Sequence, residues 1–153
     1  AADQGPTDAQ TVLGWMYEDG KGVARDYRES IRWYRSAAEQ GSAAAQFSLG
    51  LAHRFGRGVP KDYDKAFSWI SEAARIGYSK AQWELGMWYI LGIGTIADKR
   101  RAYFWLTLAI KNGETRWQRR AFRWLYRFRL ASKERTAIEM EVANGSPSDS
   151  QLH

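Results

Sequence analysis

LGWMYEDGKGVARDY, residues 13 to 27, contains a Gly-Lys-Gly that invites a phosphate-binding reading. A phosphate cradle needs a strand before it, about four residues between its glycines, and Lys-Ser or Lys-Thr opening a helix. None of these is present. The stretch instead recurs, as LGLAHRFGRGVPKDY at 49–63 and LGMWYILGIGTIADK at 85–99. Gly14, Gly50 and Gly86 stand 36 residues apart, and so do Gly22, Gly58 and Gly94. Asp26, Asp62 and Asp98 hold the same register, as do Trp33, Trp69 and Trp105. The residue between the paired glycines is Lys21, Arg57 or Ile93, so no cation is required there. The loop is fold punctuation, repeated once per unit.

Each unit reads as two helices. Ala9, Leu13 and Tyr17 fall on one face at spacing four, the stripe of a packed helix. Thr7 and Ser79 precede Gln10 and Gln82 by three residues, which predicts a capping box at the first helix, and Ser42 supplies a cap one residue earlier in the middle copy. The Gly-x-Gly pair breaks that helix, because glycine enters left-handed geometry cheaply. Asp26 caps the second helix, and Glu29 three residues on predicts a second box. Ile31, Tyr34, Ala37 and Ala38 form its inner face, and Gly41, Gly77 and Gly113 close the units.

The remainder of the 153-residue chain fits this picture. Apolar residues make up 44% and charged residues 26%, a balance that folds rather than stays disordered. Ala, Arg, Leu and Glu dominate over β-branched residues, and there are only three prolines, which favours helix. There is no cysteine, hence no disulfide and no thiolate metal site. No apolar run approaches the ~18 residues needed to span a bilayer. The net charge of +6 is unevenly placed. Residues 114–135 hold eight basic and two acidic side chains, while 136–153 carry a net −3.

The pattern Ala-x-x-x-Leu-Gly-x-x-Tyr-x-x-Gly-x-Gly-Val, followed by Asp, Ala-x-x-Trp and Ala-Ala-x-x-Gly, resembles the Sel-1-like repeat (SLR) family. That family is related to the tetratricopeptide arrays, whose ~34-residue unit is shorter and lacks this loop. The resemblance implies an all-α, right-handed α-solenoid of antiparallel helix pairs. Three units are expected at 6–41, 42–77 and 78–113. Residues 1–5 match the end of a unit and read as the tail of a truncated preceding repeat. TRWQRRAFRWLYRFRL (115–130) and SKERTAIEMEVA (132–143) read as a helix pair without the glycine loop, and 114–143 is expected to form a basic C-terminal cap, with Ser132 capping its second helix. Residues 144–153 have the composition of a flexible tail.

Candidate chemistry is sparse. His53 replaces the Tyr17 and Tyr89 of its neighbours and reads as packing, and His153 lies in the tail. No His-Glu-x-x-His or Gly-x-Ser-x-Gly is present. The repeated aspartates are explained as caps, which must recur once per helix. No catalytic residue, metal or cofactor is expected.

Function should sit where the repeats disagree on an exposed face. Positions 11/47/83 are Thr, Phe and Trp, positions 15/51/87 are Trp, Leu and Met, and 18/54/90 are Glu, Arg and Ile. The resemblance implies that first helices line a concave groove. Trp15, Phe47, Leu51, Arg54, Trp83 and Met87 would there receive a partner protein or peptide; the competing reading buries several of them between units. A second candidate is the stripe Arg116, Arg120, Arg123 and Arg127, stepping by four, three and four, which suits an acidic partner surface, anionic lipid or a solvated outer face. No specific nucleic acid is expected, because no binding module accompanies the charge.

The expected function is a non-catalytic scaffold or adaptor in complex assembly or signalling regulation, a monomer or weak oligomer. The alternatives are an immunity-type protein that neutralises one toxin, and a hydrolase of the penicillin-binding type. The last is reported for disulfide-linked members of the family, from which a cysteine-free chain departs. The resemblance leans toward an exported, periplasmic bacterial protein, and no leader is visible in the chain.

Overall fold

The computed structural model describes residues 6–113, 123, 125 and 130–145. Among the described residues there is no strand, and seven helices have defined bounds: α1 (Pro6–Asp19), α2 (Tyr27–Glu39), α3 (Ala43–Phe55), α4 (Tyr63–Arg75), α5 (Ser79–Leu91), α6 (Lys99–Asn112) and α7 (Ser132–Ala143). They distribute over two compact units, Ala1–Ala73 and Ala74–His153.

Glycine sets how closely the helices of a pair approach. A β-carbon on Gly14 would fall on the Tyr34 ring; on Gly50 it would lie 2.5 Å from Ile70 Cγ1, and on Gly86 2.7 Å from Leu106 Cγ. Tyr34, Ile70 and Leu106 are themselves 36 residues apart. Each second helix therefore seats one large side chain on the bare backbone of the first. Alanine continues the close approach: Ala37, Ala38, Ala45 and Ala52 are buried with Ile31, Tyr34 and Leu49 in the first unit's core. In the second unit Ala81, Leu85, Trp88, Tyr89, Ala102, Phe104, Trp105 and Leu106 are enclosed.

The three glycine loops are built alike. Gly20, Gly56 and Gly92 take φ of 70°, 68° and 69°, a left-handed helix end. The amides of Lys21, Arg57 and Ile93 turn back to the carbonyls of Met16, Ala52 and Trp88 at 3.0–3.1 Å. Asp26, Asp62 and Asp98 then donate their amides to the carbonyls of Tyr17, His53 and Tyr89, each at 2.9 Å. Amides that a phosphate cradle would aim outward are thus spent on the preceding helix.

The aspartates cap as expected. Asp26 accepts from the amides of Arg28 and Glu29, Asp62 from Asp64 and Lys65, and Asp98 from Arg101. Those bonds, first the one from Lys65, hold the Asp62 carboxyl below its ordinary range. The capping boxes do not form. The Asp26 amide is already committed to Tyr17, and Glu29 pairs with Arg32 at 2.6 Å. Thr7 lies inside α1 and donates to Gln40 Oε1, while Ser79 is the first residue of α5 and Tyr78 holds its cap position without capping the helix through its side chain. Gln46 and Gln82 reach the carbonyls of Ala38 and Ala74 at the end of the helix before. Ser42 does cap α3, accepting from the Ala45 amide at 3.2 Å.

Gly41 and Gly77 end their helices at φ 89° and 96°, whereas Gly113 is extended at φ −96°. Ala9 is exposed where its counterparts Ala45 and Ala81 are fully buried. Within the first unit α3 packs on α2, and among the described residues no helix takes that place beside α1. In the second unit α7 packs on α6: Tyr103 donates to Glu139 Oε1 at 2.8 Å, Lys111 Nζ to the Val142 carbonyl at 2.9 Å, and Ile138 and Val142 are buried. Ala131, not Ser132, occupies the cap position of α7, and its amide donates to Glu134 Oε2 at 3.2 Å.

Candidate interaction surface

The six groove residues divide between the units. Trp15 on α1 and Phe47, Leu51 and Arg54 on α3 belong to the first; Trp83 and Met87 on α5 belong to the second. Trp15 is 41% exposed, and the other five are half-buried. Of the arginine stripe, Arg123 is helical and exposed; Arg116, Arg120 and Arg127 lie outside the described residues.

In the first unit the α1 and α3 surface has a defined geometry. An open cavity of about 160 Å³ is lined by Asp8, Thr11, Val12 and Trp15 of α1 and by Ser42 and Ala44 at the start of α3. Val12 and Trp15 offer it exposed apolar surface. Thr11 and Ser42 form its polar seam, their hydroxyls 3.0 Å apart, with Thr11 also donating to the Thr7 carbonyl. The helical phase explains the lining, because residues 8, 11, 12 and 15 step by three, one and three along one face.

Behind that face runs a polar chain. The Trp15 indole N–H donates to Ser48 Oγ at 3.2 Å, and the Tyr34 hydroxyl donates to Glu18 Oε2. Glu18 Oε1 accepts from Arg57 at 3.4 Å, and Arg57 lies 4.9 Å over the Phe55 ring. Burial, followed by the Glu18 bond and charge, pushes the Tyr34 hydroxyl well above its ordinary value, with Ser48 acting in the opposite sense. Tyr34 therefore stays neutral and serves as a donor. Arg54 is engaged too, its guanidinium 5.0 Å over Phe55. Both guanidinium groups thus lie within cation–π distance of one ring at the loop end of α3.

In the sequence Asp8, Val12, Ser42 and Ser48 carry no mark of a surface site, and Tyr34 reads as core. One signal was available: Tyr34 stands where the other units carry Ile70 and Leu106, and a hydroxyl buried at an apolar position needs a partner.

His53 is 6% exposed with Nδ1 3.4 Å from the Pro60 carbonyl, enclosed beneath its loop. Among the described residues no group of three or more His, Asp or Glu could hold a metal ion, and no helix is long and apolar enough to cross a membrane.

Helix pairs closed by glycine contacts, each turned by the same loop and repeated every 36 residues, define a helical-repeat protein of the solenoid class. The chain belongs to the Sel1 repeat family: the family model described as Sel1 repeat matches residues 7–42, 43–78 and 79–114. Two solved structures are similar. One is a Sel1 repeat protein from Oxalobacter formigenes, 34% identical with a TM-score of 0.72, covering 78% of this chain and 46% of that one. The other is c5321, titled a protective antigen of uropathogenic Escherichia coli strains displaying an SLR fold, 29% identical with a TM-score of 0.60, covering 94% of this chain and 38% of that one. The chain thus spans less than half the length of either. A search of curated proteins gave no match. Sel1 repeat proteins generally act as protein-interaction scaffolds.

Proposed function

We propose that this chain is a non-catalytic scaffold that receives a partner protein or peptide on the face made by its first helices, in complex assembly or signalling. The observation that carries the reading is the α1 and α3 surface of the first unit. There an exposed Trp15 and Val12 border a cavity with polar groups at its edge. A cavity of this size suits one aliphatic or aromatic anchor, with hydroxyl and carboxylate groups placed to orient the backbone around it. Phe47, Leu51 and Arg54 extend this surface along α3, and Trp83 and Met87 offer the corresponding positions of α5. For Arg116, Arg120, Arg123 and Arg127 we propose a subsidiary role in steering an acidic partner toward the chain.

The test is a peptide-display selection against the purified chain, followed by affinity measurements on the recovered sequences. Trp15→Ala and Val12→Asp should weaken those peptides by about 1–4 kcal/mol, chiefly through faster dissociation. Variants that bind like the parent would place the site elsewhere.

A further inference from the structure

The third glycine loop carries side chains that its scaffold does not need. Leu91 is 61% and Ile96 87% exposed, with Ile93 half-buried between them. The equivalent positions are Asp19, Lys21 and Ala24 in the first loop and Phe55, Arg57 and Pro60 in the second. All three loops close with the same backbone bonds, so aliphatic residues at 91, 93 and 96 are not a requirement of the turn. They are held on a fixed frame, because Gly92 and Ile93 bond to the Trp88 carbonyl and Asp98 to that of Tyr89.

The charge beside the tip is also out of place. Helix α6 opens with Lys99, Arg100 and Arg101 and has no acidic residue in its first turn. Helix α2 has Glu29 there and α4 has Asp64, the sign that a helix N-terminus favours. Arg101 is drawn to the Asp98 cap at 3.8 Å, while Lys99 and Arg100 are exposed. Cations set against the helix dipole, next to exposed aliphatic side chains, match an anionic surface with an apolar interior.

We propose that the loop Leu91–Ile96 is a peripheral membrane anchor, inserting Leu91 and Ile96 among acyl chains while Lys99 and Arg100 engage anionic lipid headgroups. A protein partner is the weaker occupant. A tip of three aliphatic side chains is far below the roughly 1,200 Å² of a specific interface, and it carries no Trp or Tyr anchor of the kind that concentrates binding energy. Shallow insertion needs only a few apolar side chains when headgroup attraction adds to it. The surface lies apart in sequence from the α1 and α3 face, and the proposal stands independently of a peptide bound there.

The experiment is vesicle sedimentation of the full chain. Vesicles of phosphatidylcholine alone are compared with vesicles in which phosphatidylserine is about a third of the lipid. The chain should bind the anionic vesicles. Leu91→Asp with Ile96→Asp, and separately Lys99→Glu with Arg100→Glu, should each weaken binding at least about tenfold while the melting midpoint stays near the parent's. Phe55→Asp, the counterpart of Leu91 in the second loop, should have no effect. Because the chain has no cysteine, Ala97→Cys admits a single environment-sensitive dye, whose emission should shift to the blue with anionic vesicles. Absence of vesicle binding overturns the proposal. So does binding that salt abolishes and the Leu91 and Ile96 changes do not, since the basic segment 114–135 would then act by charge alone. A loop variant that loses self-association or a bound peptide, with vesicle binding intact, overturns it in favour of protein docking.

Discussion

The first and third helix pairs share a backbone plan and differ in what fills it. In the α1–α2 pair the glycine face receives Tyr34, whose hydroxyl emerges beside Glu18 and Arg57 and whose ring supports a face carrying exposed Trp15. In the α5–α6 pair the same face receives the aliphatic Leu106, and exposed apolar surface stands at the loop tip. The difference teaches that the repeat specifies a distance of approach between helices. Whatever stands at the second helix's contact position then decides whether polar chemistry passes through the layer.

The largest expected effect breaks the shared frame. Gly58 has φ 71°, and a β-carbon there would lie 2.5 Å from the Tyr27 carbonyl oxygen, a backbone atom that cannot swing aside. Gly58→Val should cost about 3–5 kcal/mol in chemical denaturation, combining backbone strain with overpacking. Gly77→Ala carries only the strain of φ 96°, with no atom within 4 Å of the added carbon, and should cost about 1–2 kcal/mol. Equal losses in the two variants would contradict the account of the loops as closely packed.

A smaller effect separates the two pairs. Gly14→Ala must displace a ring held by Glu18, whereas Gly86→Ala meets the branched end of Leu106. We expect about 2–3 kcal/mol for the first and about 1–2 kcal/mol for the second. Tyr34→Phe should then cost about 1–2 kcal/mol by removing the donor to Glu18 Oε2, with Arg57 still bonded to Oε1. In the Tyr34→Phe background the excess penalty of Gly14→Ala should shrink, a coupling that a double-mutant cycle measures directly.

Asp98→Ala should cost about 1 kcal/mol through the lost cap, read as a fall in melting midpoint. The smallest signal is a pH dependence. Burial, then the bond and charge of Glu139, raise Tyr103 to about 12. A group raised in the folded state contributes stability that is whole below its ordinary value of about 10 and is lost as pH rises toward 12. Tyrosinate absorbance should show this late titration, and Tyr103→Phe should remove it together with its share of the alkaline destabilisation.

Much of the fold was legible because repetition multiplies weak signals. One Gly-x-Gly is ambiguous, but three in register with Asp and Trp leave only punctuation. The capping boxes were misread for a local reason: an amide takes one good acceptor, and Tyr17 offered the Asp26 amide a carbonyl that no spacing rule reveals. The candidate surface was legible in part. Trp15 stands out in the sequence through its variation between units, while Asp8, Thr11, Val12 and Ser42 gather around a cavity only when two helices are placed side by side.

The sequence by itself determined the 36-residue period, the helix pairs, the caps on Asp26, Asp62 and Asp98, and membership of a solenoid class, because each is a local or periodic property. The tertiary structure alone decided that Gly14, Gly50 and Gly86 are contact points, that Tyr34 is a buried donor to Glu18, and that Ile96 stands exposed. These depend on which atoms of distant residues come within a few ångströms. That information belongs to packing, and a periodic sequence carries it only as a departure from its own repeat.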